Sequence, residues 1–377
     1  MRLIISSLLL LISNIVLAQK EFYLLVGTNT NGKSKGIYVY KFNSSTGDLE
    51  QVNTAQTSNP TFLDISPNQK FVYAVEEPSD STKSTVIGNI AAFTFNKKDG
   101  SLSLINKQSS GGKHPAYVAV DKTGKWVATA NYSSGQFTLL PVKKDGSLGA
   151  AIQTMQDTGS GPVKGRQDGP HAHSTTFSPD NKYIFVADLG IDKLMIYNFN
   201  DASGMLKPAS SPFFKTGPGT GPRHFAFHPT KNFAYLIEEL SGNVSAFKYK
   251  DGKLDEIQNI SAHPAGYKGI IGSADIHVSP DGKFLYCSNR GESNTIAIYK
   301  IDQKTGLLTL VGHQSTMGET PRNFSIDPTG NFLLAANQQS DNIVVFKIDK
   351  STGLLTDSGK RIDNIGSPVC LKWANKE

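Results

Sequence analysis

The sequence predicts an all-β protein built from one four-stranded unit repeated around a closed ring. Three observations predict it. A turn signature returns about every 50 residues, a β-rich segment follows each turn, and the two ends of the chain each carry part of one further unit. Helix-period hydrophobic patterning is nearly absent.

The turn signature appears six times, as Ser66-Pro67-Asn68, Asp121-Lys122-Thr123-Gly124, Ser178-Pro179-Asp180, His228-Pro229-Thr230, Ser279-Pro280-Asp281-Gly282 and Asp327-Pro328-Thr329-Gly330. Such residues favour tight turns because Pro fixes φ and Asp, Asn and Ser bond their own backbone. An alternating strand precedes each turn and an apolar strand follows it. Third strands are expected over 90–95, 136–141, 194–199, 244–249, 295–301 and 343–348. A second turn leads into each fourth strand, for example Asp99-Gly100-Ser101-Leu102 and Asp251-Gly252-Lys253-Leu254.

The chain begins with strands at 22–26 and 36–42 and a Thr46-Gly47-Asp48-Leu49 turn, which is a unit lacking its first strand. It ends with Ser367-Pro368-Val369-Cys370-Leu371-Lys372-Trp373, a first strand lacking its unit. Joined, they make a seventh. Closure of this kind leaves only short, protected sheet edges. The expected architecture is one seven-bladed β-propeller with no domain boundary, rather than a β-solenoid, whose repeats are much shorter.

The fourth unit carries the most chemistry. It runs from Gly221-Pro222-Arg223-His224 through the His228-Pro229 turn to Glu238-Glu239. In an antiparallel pair the start of one strand lies beside the end of the next, so Arg223 and Glu239 are expected to be neighbours. First strands line the channel of a propeller. The same counting in every blade gives a ring of starting positions: Thr61, Ala116, His173, Arg223, Ala274, Arg322 and Val369. His171 reaches the same rim. The second strands end at Glu76-Glu77, Asn131-Tyr132, Asp188-Leu189, Glu238-Glu239, Asn289-Arg290 and Asn337-Gln338.

Unpaired charges are costly to bury. The bland explanation of this ring is a set of mutual salt bridges around a solvated channel. The grouping of His173, Arg223, Glu239 and Arg290 on neighbouring blades points instead to a site. His171, Arg322, Glu77 and Asn131 are its candidate substrate-binding residues. The column of second-strand carboxylates and amides could ring a calcium ion, but capping of blade turns explains the same oxygens. No metal ligand set or cofactor is expected. His114, His224, His228, His263, His277 and His313 have no short ligand spacing and read as turn or strand residues. Nucleophile-elbow, zincin and phosphate-loop motifs are absent.

The segments Pro170-His171-Ala172-His173, Gly221-Pro222-Arg223-His224, Glu238-Glu239-Leu240, Ser288-Asn289-Arg290-Gly291 and Pro321-Arg322-Asn323 resemble the seven-bladed propeller lactonases. That family includes propeller-type 6-phosphogluconolactonases and 3-carboxy-cis,cis-muconate lactonizing enzymes. The resemblance spans essentially the whole chain after its first residues. It implies active-site roles for His173, Arg223, Glu239 and Arg290, and a lactone as substrate. A water made nucleophilic by Glu239 or His173, with Arg223 and Arg290 holding the oxyanion or an anionic group, would suit hydrolysis. A carboxymuconate-type cyclase would use similar groups, and a propeller can also serve as a binding scaffold.

Met1-Arg2, the apolar run from Leu3 to Leu17 and Val16-Leu17-Ala18 fit a secretory signal peptide over residues 1–18, leaving a domain of 19–377. The run is short for a membrane anchor. An exported location, periplasmic or extracellular, follows, whereas the lactonases best known from this family are cytoplasmic. Lys and Arg number 38 against 32 acidic residues. Cleavage would remove Arg2 and leave a mildly basic chain with no aromatic-laced basic run. Nucleic acid is therefore not an expected partner, nor is a membrane after cleavage, and a monomer acting on a small anionic or sugar lactone is expected. Cys287 and Cys370 both sit in apolar strand-like runs and read as buried thiols.

Overall fold

In the computed structural model, which describes residues 20–78 and 86–377, the chain forms seven four-stranded antiparallel sheets. The proposed signal peptide lies outside the described residues. Blades are numbered here from the first that is continuous in sequence. Blade 1 begins at Leu63–Ile65, blade 2 at Pro115–Val120, blade 3 at Ala172–Phe177, blade 4 at Pro222–Phe227, blade 5 at Ser273–Val278 and blade 6 at Pro321–Ile326. Blade 7 takes its first strand, Pro368–Asn375, from the end of the chain and its other three from the beginning. Val369 thus lies in the innermost layer, as the sequence predicts. Each first strand touches the first strands of both neighbours, and the contact between blades 7 and 1 closes the ring.

The expected third strands all form, with bounds that agree to within three residues. Two single-turn 3₁₀ segments, Tyr132–Ser134 and Leu189–Ile191, are the only helical elements among the described residues. None of those residues forms a helix long and apolar enough to cross a membrane.

Adjacent blades are held by a contact that recurs seven times. The aromatic residue near the start of each second strand packs on the glycine of the next blade's late turn. Phe71 meets Gly146, Trp126 meets Gly204, Tyr183 meets Gly252, Phe233 meets Gly306, Phe284 meets Gly353, Phe332 meets Gly47 and Tyr23 meets Gly100. These glycines have φ between +73° and +85°, the left-handed region that L side chains rarely adopt. A Cβ at Gly146 would also come within 2.2 Å of the Phe71 ring. In several blades a buried tyrosine hydroxyl adds a hydrogen bond, as from Tyr73 to the Gly146 carbonyl and from Tyr235 to that of Gly306, each 3.1 Å. The core therefore lies between blades as stacked apolar layers. Cys287 and Cys370 are buried free thiols within those layers.

A second repeated feature positions the site. At the start of first strands the register slips, and the extra residue is the one predicted to ring the channel. Pro222 pairs with Glu238 and His224 with Ile237, leaving Arg223 unpaired. His173, Arg322, Ala116 and Val369 are skipped in the same way, and blade 5 skips both Ala274 and Asp275. A bulge frees one side chain from the pleat and re-aims it. In this ring it re-aims that side chain toward the axis.

Candidate active site

The bulged residues meet the second-strand ends around the carboxylate of Glu239. Arg223 Nε donates to Glu239 Oε2 at 2.9 Å and Arg290 Nη2 approaches the same oxygen at 2.8 Å. Arg166 Nη2 donates to Oε1. His173 Nε2 stands 4.0 Å from Oε2, too long for a direct hydrogen bond and suited to one through a water. The expected contact of Arg223 with Glu239 is thus formed, and His173 and Arg290 join it.

Electrostatics follow from this crowding. Burial alone would raise the Glu239 carboxyl, but Arg290, Arg223 and Arg166 outweigh it and hold the group far below the usual carboxylate range. Burial lowers His173 well below an ordinary histidine, and Arg223, His224, Arg322 and Arg290 push the same way. The imidazole is therefore neutral at physiological pH. Burial, then Arg290 and Arg322, bring Arg223 down to about 9, where it is still charged at neutral pH. Arg223 is 1% exposed and also donates to the Ala274 carbonyl. It lies beneath Glu239 rather than on the open surface.

Above Glu239 opens a cavity of about 580 Å³. Arg166, Arg290, Arg322, His173, Glu239 and Tyr132 contribute to its lining. Arg290 is fixed by its Nε bond to the Gly272 carbonyl at 2.9 Å. Arg322 points into the same space, and burial followed by Arg290 lowers its pKa. Three guanidinium groups facing one cavity favour a substrate with anionic or strongly dipolar oxygens.

Three candidate substrate-binding residues are placed differently from expectation. Asn131 does not reach the cavity. Its side chain is fully buried and donates to the Ser110 carbonyl at 3.0 Å, because it stands one residue before the point where the second strand turns to the channel. His171 stacks on Tyr132 with centroids 4.5 Å apart and bonds the Tyr132 carbonyl through Nδ1, so it supports the wall from behind. Glu77 bonds Thr61 and, at 2.9 Å, His114 Nε2. His114, read from sequence as a turn residue, is the member of that pair that lines the cavity.

The rest of the second-strand column serves the blades. Asp188 accepts from the His171 and Gly190 amides, Glu238 from Ser241 and Ser245, and Asn289 donates to the Ala262 carbonyl. Those side chains cap and brace turns instead of facing one another.

Arg166 is the site residue that sequence reading missed. It lies on the connection between Gln153–Gln156 and Ala172–Phe177, the longest of the links between blades. Next to it, the fully buried Gln167 donates to the Leu189 carbonyl at 2.8 Å and to Asp192 at 2.7 Å, pinning the loop. The available signal was a cation on the longest connection at the active rim, just ahead of the Pro170-His171-Ala172-His173 segment.

Comparison with known proteins adds independent information. A family model described as "Lactonase, 7-bladed beta-propeller" matches residues 23–373. A 6-phosphogluconolactonase of Formosa agariphila is 42% identical over 321 residues, covering 84% of this chain and 90% of that protein. One from Bacillus subtilis is 38% identical, covering 84% and 88%. The solved structure of a periplasmic gluconolactonase of Pseudomonas aeruginosa superposes with a TM-score of 0.89 at 36% identity, covering 95% of this chain and all of that one.

Proposed function

The chain belongs to the seven-bladed β-propeller lactonase family, and from that premise we propose that it hydrolyses a sugar lactone, with 6-phosphogluconolactone, for which two of its relatives are named, the leading candidate. The observation that carries this reading is the Glu239 cluster: one carboxylate gripped by three arginines, with a neutral imidazole 4.0 Å away in the lining of the same open cavity.

The roles we assign are supported by that geometry. Glu239 is too strongly stabilised as an anion to be an efficient proton acceptor. His173 is the proposed general base, since its lone pair is free at neutral pH. As the lactone carbonyl is attacked, His173 takes a proton from water and the water oxygen bonds to the carbonyl carbon. Arg290 and Arg166 stabilise the developing oxyanion, and Glu239 stabilises the imidazolium that forms. Collapse of the intermediate breaks the ring C–O bond, and His173 returns its proton to the departing alkoxide. The product is a hydroxy acid, ionised to its carboxylate at neutral pH. Arg322 is placed for a distal anionic group of the substrate. Arg223 acts from below by holding Glu239.

We further propose export, with residues 1–18 removed as a signal peptide and 19–377 forming the mature domain. The apolar leader and the periplasmic relative support that reading. N-terminal sequencing of the mature protein, expected to begin at Gln19, tests it. The activity is tested by following hydrolysis of glucono-δ-lactone and its 6-phosphate above the spontaneous rate, with and without EDTA. Saturable, chelator-resistant hydrolysis is expected. Rates no faster than the spontaneous reaction on both lactones would overturn the proposal.

A further inference from the structure

Below the cluster, the polar groups continue along the channel. His224 follows the bulged Arg223 and is 5% exposed. Its Nδ1 lies 2.7 Å from Asp275 Oδ1. Asp275, 3% exposed, is one of the two residues skipped by the register in blade 5. Its Oδ2 accepts from His277 Nε2 at 2.9 Å and from Asn323 Nδ2, and its Oδ1 also accepts from the Ile276 amide at 3.0 Å. Among the described residues no Lys or Arg pairs with it at salt-bridge distance, and its side-chain partners are these two imidazoles and Asn323. This line of hydrogen bonds ends at His277, whose side chain is 38% exposed.

We propose that Asp275 is a positioning residue for the site: it fixes His224 as the Nδ1–H tautomer, and the ring so held keeps His173 and Arg223 aimed at Glu239. The proposal rests on the lactonase reading for its kinetic consequences only. Three contacts carry it. A carboxylate accepts only from a protonated nitrogen, so the 2.7 Å contact puts the proton on Nδ1. Arg223 Nη1 lies 3.5 Å from Nδ1 and 3.3 Å from Nε2 of His224. Near-equal distances place the guanidinium against the ring as a body rather than along one lone pair, and a neutral ring tolerates that contact where an imidazolium would repel it. The ring also meets His173 with centroids 5.3 Å apart at 72°, and is boxed by Tyr117 at 5.3 Å and Phe62 at 5.9 Å. Rotation of His224 would therefore disturb both the proposed base and the cation beneath Glu239. Burial and Arg223 take its pKa down to about 4 against the opposing pull of Asp275, consistent with a neutral ring.

A buried carboxylate that accepts from two imidazoles, an amide side chain and a backbone amide is a poor device for stability, since apolar packing serves as well or better. As an orienting group it has a clear use, because small misplacements of reacting groups slow catalysis by about 100-fold. The test combines kinetics with ¹⁵N NMR of the imidazoles in the full mature chain. Asp275→Asn is expected to lower kcat by about 100-fold while KM stays within about twofold. It should abolish the downfield Nδ1–H signal of His224 and shift the His173 resonances. His224→Phe, which keeps a ring but not the link, should show the same kcat loss. The double variant should be no worse than either single one, since the two act as a unit. If Asp275→Asn does not fold, His224→Phe carries the test through its kcat and its His173 shift. Multiplying losses in the double variant, or a lowered Tm with kcat unchanged, would overturn the proposal. If the wild type opens no lactone, the functional reading fails by itself. The positioning claim is then decided by NMR, and His173 signals unmoved in Asp275→Asn would reject it.

Discussion

Blades 3, 4 and 6 and blades 2 and 7 place the same bulge at the same point and put different residues on it. The first group carries His173, Arg223 and Arg322; the second carries Ala116 and Val369. Backbone position and interblade packing are shared. What differs is the residue type at that position, and where it is His or Arg the second-strand ends Glu239 and Arg290 stand beside it. The scaffold supplies a bulged position in six of the seven blades, and a site appears where blades 3, 4 and 6 fill it with ionisable groups close to the carboxylate of Glu239.

Substitutions that break this contrast rank by expected effect. Replacing His173 by Gln removes the proposed base and should lower kcat about 10²–10⁴-fold, read against the spontaneous rate. Glu239→Gln should cost about 3–5 kcal/mol in stability, because it leaves the buried Arg223 without its carboxylate partner. Urea unfolding measures that loss, and a Glu239→Gln variant as stable as wild type would show that the arginines do not depend on it. Arg322→Ala should raise KM about tenfold for a phosphorylated lactone with kcat little changed, the signature of lost uniform binding. Paired assays on glucono-δ-lactone and its 6-phosphate would locate the anionic end of the substrate.

Two smaller effects sharpen the contrast. Because the His173 pKa is lowered, protonation of the base begins only below the usual histidine range. The kcat/KM profile should stay flat as pH falls through about 6.5, the ordinary value, and decline further down. A limb at the ordinary value would mean that the base is solvated or is another residue. Val369→Ala, on a bulge outside the cavity lining, should leave kcat and KM unchanged.

The sequence made the ring legible because its signals are local and repeated. Turn residues recur at fixed offsets, and the split blade is visible as two incomplete units. The pairing of Arg223 with Glu239 followed from antiparallel geometry alone. The side on which a residue faces was less accessible. Glu238 and Glu239 are adjacent and chemically identical, yet one braces Ser241 and Ser245 while the other receives three arginines. Asn131 was misplaced by that same one-residue ambiguity. The bulges give no alternation signal, although Pro115, Pro222, Pro321 and Pro368 each stand one residue before a skipped position. Arg166 lies on the link between blades 2 and 3, whose length the other links do not match, so the repeat could not point to it. The links from His224 to Asp275 and from Asp275 to Asn323 join different blades and follow from three-dimensional closure alone.

The most direct test is the initial rate of glucono-δ-lactone ring opening, followed by proton release, for wild type, Val369→Ala and His173→Gln. The bulge-positioned site requires wild type and Val369→Ala to be equally fast and His173→Gln to fall to near the spontaneous rate. Equal rates for all three proteins would contradict it.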